Sequence, residues 1–174
     1  MNSKVITSRF VVVTLLILGA AFMRLIPHLP NFTPVAAIAL FGGAYMSRKL
    51  YAFLIPFAAL LISDIFLGFH NYMFAVYLSF AITVGIGILI SKKVNIISVL
   101  GGAIASALLF FILTNFAVWM FTPQYTKDFS GLVSCYTMAL PFFNNGIMGD
   151  LVYSSALFGA FYLVSLRFPS LAKI

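Results

Sequence analysis

Long apolar runs separated by short polar breaks extend along the whole chain. A bilayer core of about 30 Å is crossed by about 20 apolar residues in helical conformation, with a range near 17–25. Six runs fit that reading. They extend from about Ser8 to Leu25, Thr33 to Met46, Leu50 to Phe69, Tyr72 to Ile90, Asn95 to Phe121 and Asn145 to Leu166. The second is short and rich in Ala and Gly, and the fifth is long enough to tilt or protrude. Between the last two, Gly131 to Phe143 is too short to span and carries Pro141, so a short interfacial or re-entrant helix is expected there. The breaks have ordinary chemical causes. Pro30 ends the first run because proline restricts its predecessor and cannot donate to a helix. Thr33-Pro34 reads as a helix start, with Thr as cap and Pro in the first turn.

Composition supports the same picture. Of 174 residues, 63% are hydrophobic and 7% charged, against roughly 45–50% and 25% in soluble domains. Mean hydropathy is +1.14. A soluble domain could not cover such a surface with polar groups, and disordered chains are poor in apolar residues. The expected class is an all-α integral membrane protein forming one transmembrane domain over residues 1–174.

The net charge of +7 is scattered rather than gathered on a basic face, so it does not point to nucleic acid. It reads instead as topology. With six spans, Lys4, Arg9, Arg48, Lys49, Lys92, Lys93, Arg167 and Lys173 share one side, while Arg24 and Lys127 fall on the other. That bias places both termini in the cytoplasm. Lys4 and Arg9 before an apolar stretch and Gly19-Ala20-Ala21 also fit a signal peptide, which would leave the remaining topology unchanged.

The polar residues collect at the opposite, outer end. Asp64, Asp128 and Asp150, the only acids, lie toward it, with Arg24, Lys127, His28, His70 and the amides Asn31, Asn115, Asn144 and Asn145. Charges inside a bilayer are expensive and survive by pairing or by function. An outward pocket is therefore expected, roofed by the connections Leu25–Phe32, Phe69–Asn71 and Thr122–Asn144. Each residue also has a plainer role. Asp64 and Asp150 fit either substrate contact or structural pairing with Arg24, and Asp128 beside Lys127 fits a solvated loop pair. His28 and His70 fit neutral interfacial residues, Trp119 the outer aromatic belt, and Cys135 a small buried apolar residue. Ala39/Gly43, Gly101/Ala105, Ser155/Gly159 and Ala156/Ala160 are each four apart, a spacing that lets helices approach closely.

Catalytic motifs are missing from the chain. Gly146–Asp150 reads GIMGD, not the GxGD of intramembrane aspartyl proteases, and there is no HExxH, G-x-S-x-G or P-loop. No metal site, haem pair or other cofactor is expected.

The stretch RLIPHLPNFTPVAAIALFGGAYMSRKLYAFLIPFAALLISDIFLGF, Arg24 to Phe69, resembles the S components of energy-coupling factor (ECF) vitamin transporters. The likeness lies in the loop after helix one, the stubby helix two and the acid-bearing helix three. NFTPVAAIALFGGAY together with GLVSCYTMALPFFNNGIMGDLVY, Gly131 to Tyr153, resembles a group of small bacterial six-helix membrane proteins of unknown function, thought to be transporters. The first resemblance implies that outer loops and helix ends bind a vitamin or related micronutrient, and that an ECF-type transmembrane partner with ATPases drives uptake. The residues in matching places are Arg24, His28, Asn31, Phe32, Asp64, His70, Asn115, Trp119, Asn145 and Asp150. Cys135 joins them because some cobalamin-binding relatives hold cobalt with a Cys. The first helix, RFVVVTLLILGAAFMRL, lacks the AxxxA docking pair common in that family, so a solitary mode or a different partner stays open.

The expectation is thus a non-enzymatic, six-helix protein of the bacterial inner membrane with both ends inside. It binds a small solute, a vitamin or possible corrinoid, from outside, with Arg24, Asp64 and Asp150 making the capture. Two alternatives remain: a structural or assembly subunit without ligand, and an intramembrane enzyme using Asp64 and Asp150 as an acid/base pair.

Overall fold

A computed structural model describes residues 7–69 and 71–171. Among them are six α-helices and no strand: α1 (Ser8–Met23), α2 (Val35–Tyr45), α3 (Lys49–Leu67), α4 (Met73–Ile90), α5 (Ile96–Phe121) and α6 (Phe129–Arg167), followed by a 3₁₀ turn at Pro169–Leu171. By length and composition α3, α4, α5 and α6 are each able to cross a membrane, whereas α1 and α2 are shorter apolar helices. The outward faces are apolar. Leu50, Phe66, Leu89 and Ile97 are all about two-thirds exposed or more, as side chains facing lipid would be.

Local chemistry sets the ends. Thr7 Oγ1 accepts from the Phe10 amide at 3.1 Å and starts α1. Asn95 and Ser98 exchange side-chain bonds to each other's amides at the start of α5, a capping box. The α3 helix stops at Gly68, whose φ of +92° suits glycine. The cap position of α2 is Pro34 rather than Thr33, and no side chain caps it.

The C-terminal region differs from expectation. Residues 131–143 are not a separate re-entrant piece, and 122–144 is not a long loop. Phe129–Arg167 is one helix of 39 residues that runs through Pro141. Proline removes only one backbone bond, and α5 braces α6 on both sides of it. Tyr136 Oη donates to Ile112 O at 2.7 Å, and the Phe111 and Phe143 rings lie 4.7 Å apart. Asp128 is not a simple partner of Lys127. Its Oδ1 accepts from the Gly131 amide at 2.7 Å and from the Thr126 hydroxyl at 2.8 Å, capping α6.

The short α2 is the hub. All its residues except Ala36 and Tyr45 are buried, and it touches every other α-helix. Its Ala- and Gly-rich sequence allows this. At Gly43 and Gly87 the backbones of α2 and α4 meet so closely that a Cβ on Gly43 would stand 2.3 Å from Val84 O. With 11 residues, α2 is only about 17 Å long at roughly 1.5 Å per residue, about 13 Å short of a bilayer core. The neighbouring helices do not close over its two ends, and a cavity lies at each.

Candidate functional site

The N-terminal end of α2 opens on a cavity of about 60 Å³. Its polar wall is built by Asn31, Thr33, Thr114, Asn115 and Asp150, and its apolar wall includes Phe110, Phe111, Phe142 and Phe143. Asp150 is 7% exposed. It has no hydrogen-bond or ion-pair partner among the described residues, whereas Asp64 and Asp128 both do. The Thr114 hydroxyl hydrogen and one of the two Asn115 amide hydrogens are directed elsewhere. Thr114 Oγ1 donates to Phe110 O and Asn115 Nδ2 to Phe111 O, both at 2.7 Å. The one charged group in this lining is the Asp150 carboxylate, and the Asn115 amide oxygen is a further acceptor.

The roof is the connection from α1 to α2, clamped onto α6. Asn145 Nδ2 donates to Pro30 O at 3.1 Å, and the Phe32 and Tyr153 rings pack at a tilt with their centres 5.6 Å apart. Gly149 admits the chain closely, since a Cβ there would lie 3.1 Å from Phe32 Cα. Asn31 turns the chain with φ of +63°, a conformation that asparagine tolerates better than most residues.

The expected capture set is divided in two. Arg24 pairs with Asp64 at 2.5 Å and also donates to Ser63 Oγ, and Tyr77 Oη donates to the other Asp64 oxygen at 2.8 Å. Both carboxylate oxygens are thus committed, and the cluster ties α1, α3 and α4 together. Asp150 does not join it. Val35 lines both the Asp150 cavity and the small cavity beside Arg24 and Ser63, so the first turn of α2 stands between them. The acid/base pairing of Asp64 with Asp150 is therefore not formed.

Of the remaining sequence candidates, Asn31 and Asn115 join Asp150, while Phe32 and Asn145 hold the roof. His28 is exposed, with its Nδ1 2.6 Å from Ile26 O. Trp119 turns away, donating from Nε1 to Thr126 O at 2.8 Å. Cys135 is buried against α5, its Sγ 3.4 Å from Asn115 O, outside the cavity wall. His70 lies outside the described residues. No cluster of three or more metal-ligating side chains is present among the described residues. Thr33, Thr114 and Gly146 were missed. Only Gly146 had a signal, one turn before Asp150 on the same helix face.

A family model described as "Family of unknown function (DUF6580)" matches residues 4–171. No curated protein and no solved structure matches the chain.

Proposed function

Since the chain belongs to DUF6580, a family of unknown function, its role has to be read from its own site, and we propose that it is a multi-pass membrane protein that binds a small cationic solute at Asp150 and takes part in its uptake. The observation that carries this reading is a buried carboxylate with no partner among the described residues, facing a cavity. Such a charge is costly to keep unless something compensates it. The uncapped first turn of α2 stands at the same cavity and offers roughly half a positive charge, which leaves a full carboxylate under-compensated. The four Phe residues in the wall suit a cation as well. An anion would meet the like charge of Asp150.

Size narrows the solute. One water needs about 10–15 Å³ of such volume, so the cavity has room for about four to six heavy atoms. That fits ammonium or a small primary amine. A vitamin or a corrinoid would require the roof at 24–34 to lift from α6.

The wider reading keeps six spans, both ends inside, in the bacterial cytoplasmic membrane, with the cavity opening outward as the basic bias suggests. The arrangement is S-component-like in having a stubby second helix under an outer roof. The chain has no ATP motif, so any ATP dependence comes from an ECF-type partner, or the protein acts alone. It is proposed as a non-enzyme. The structural-subunit alternative is favoured at one place, the Arg24–Asp64–Tyr77 cluster, where every charge is already satisfied.

The test is uptake of labelled methylammonium into proteoliposomes. Saturable uptake that is lost in Asp150→Asn and kept in Cys135→Ser supports the reading. Equal uptake by wild type and Asp150→Asn, or none above empty vesicles for methylammonium and a panel of small amines, overturns it.

A further inference from the structure

The opposite end of α2 holds a second site of the other sign. Arg9, counted by the sequence as a topology charge, is 8% exposed. Its Nε donates to Tyr45 O at 3.0 Å, at the last residue of α2, and its guanidinium carbon lies 5.5 Å from the centre of the Tyr45 ring and 6.0 Å from that of Phe161. No other partner holds the guanidinium among the described residues, although it has five N–H donors. All three acids of the chain lie elsewhere: Asp64 against Arg24, Asp128 at the start of α6, and Asp150 at the far end of α2.

Arg9 faces a cavity of about 210 Å³ that Ser91, Tyr162 and Ser165 also line. Through the shared walls of Tyr45, Val94 and Tyr162 it adjoins a larger groove of about 550 Å³, lined mainly by apolar side chains such as Val99, Leu100 and Phe158. The groove reaches the outside of the bundle, since Ser155, Ile96 and Tyr162 on its wall are exposed. Gly159 opens its floor, and a Cβ there would meet nothing within 4 Å. The Ser155/Gly159 pair, a helix-packing spacing by sequence, thus lines an open groove.

We propose that this cavity and groove form a binding site for an anionic phospholipid, with its phosphate against Arg9 and one acyl chain along the groove. Position supports a lipid. Arg9 begins α1, Ser91 ends α4, Asn95 caps α5 and Ser165 is in the last turns of α6, so four helix ends meet at one membrane boundary, where phosphates lie. The exposed Lys92, Lys93 and Arg167 sit at the ends of the same helices, Arg48 and Lys49 are exposed at the start of α3, and together they favour an anionic surface. A free anion would use the cavity and leave the apolar groove empty. An amphiphile fits both. The chain gains little by leaving the bilayer, because lipid tails are as apolar as the groove, so selectivity rests on the headgroup.

The experiment measures lipid binding to the full chain in detergent by native mass spectrometry. The lipid probe is an equimolar mixture of phosphatidylglycerol and phosphatidylcholine, and inorganic phosphate alone is the second arm. Wild type should retain phosphatidylglycerol over phosphatidylcholine by at least about fivefold, the effect of one cation near a lipid surface. Arg9→Gln should lose that preference. Gly159→Leu, which fills the groove without a backbone clash, should lower retention of both lipids with Arg9 intact, and so decides the matter if Arg9→Gln does not fold. Equal retention of the two lipids by wild type, an unchanged preference in Arg9→Gln, or unchanged retention in Gly159→Leu would overturn the proposal. Displacement of the lipid by inorganic phosphate alone would do so too, and would mark the site as one for a soluble anion.

Discussion

The same substitution made two residues apart on α4 should change stability in opposite directions. A Cβ on Gly87 would stand 2.3 Å from Leu40 O and 2.9 Å from Gly43 Cα, both backbone atoms of α2. A Cβ on Gly85 would meet nothing within 4 Å. In Gly87→Ala the two backbones must part by at least about 0.7 Å to bring the closest contact out to 3.0 Å. Overpacking of this kind costs about 1–3 kcal/mol, and the upper end is expected because α2 touches every other helix. Alanine's advantage in helix propensity offsets at most about 1 kcal/mol. The net loss for Gly87→Ala is about 2 kcal/mol, while Gly85→Ala should gain between zero and about 1 kcal/mol. Denaturation of the purified full chain in detergent micelles, followed by circular dichroism, measures both. If Gly87→Ala is as stable as wild type, or both variants move the same way, the α2–α4 contact is not as described. The cavities that depend on a short, tightly held α2 would then lose their basis.

Other expectations follow from individual groups. Asp64→Asn leaves Arg24 without its counterion and should cost about 3–5 kcal/mol, read as early melting, whereas Asp150→Asn removes an unpaired charge and should melt no earlier than wild type. Hydrogen bonds from the Gly131 amide and the Thr126 hydroxyl hold the Asp128 carboxyl below its usual range. Its folded pKa is thus below the unfolded value of about 3.9, so the cap is fully effective above that pH and is lost as pH falls through the folded value. Protection factors of the first amides of α6 should therefore fall only in that acid window, and in Asp128→Asn they should stay level across it. In a Cys135→Ser background, Lys92→Cys should react with an impermeant thiol reagent only in inverted vesicles; labelling from outside would reverse the proposed orientation.

Much of the helical frame was legible because apolar runs and proline or glycine breaks are local signals. All six helices lie within the expected runs or extend them, and α5 begins where Asn95 and Ser98 suggest. Two features depended on partners that a sequence does not reveal. Pro141 reads as a break, yet α6 continues because α5 holds it on both sides. Asp64 and Asp150 share a depth and read as a pair, yet Tyr77 and Arg24 take one and α2 separates the other. Asp150, Asn31 and Asn115 were recognisable as polar groups gathered at one end of the bundle. Their convergence was not, because it depends on Gly149 letting the roof settle on α6. Arg9 was the reverse case. A cation near the start of a helix reads as topology, and only the fold reveals that it is buried without a counterion among the described residues.

The central claim is that Asp150 holds a small cation, and calorimetric titration of methylammonium into the purified protein at constant ionic strength tests it most directly. Wild type should bind with a single saturable site, and Asp150→Asn, folded and melting normally, should not bind. Identical isotherms for the two proteins, or no saturable binding by wild type of any ammonium or small amine, would contradict the account.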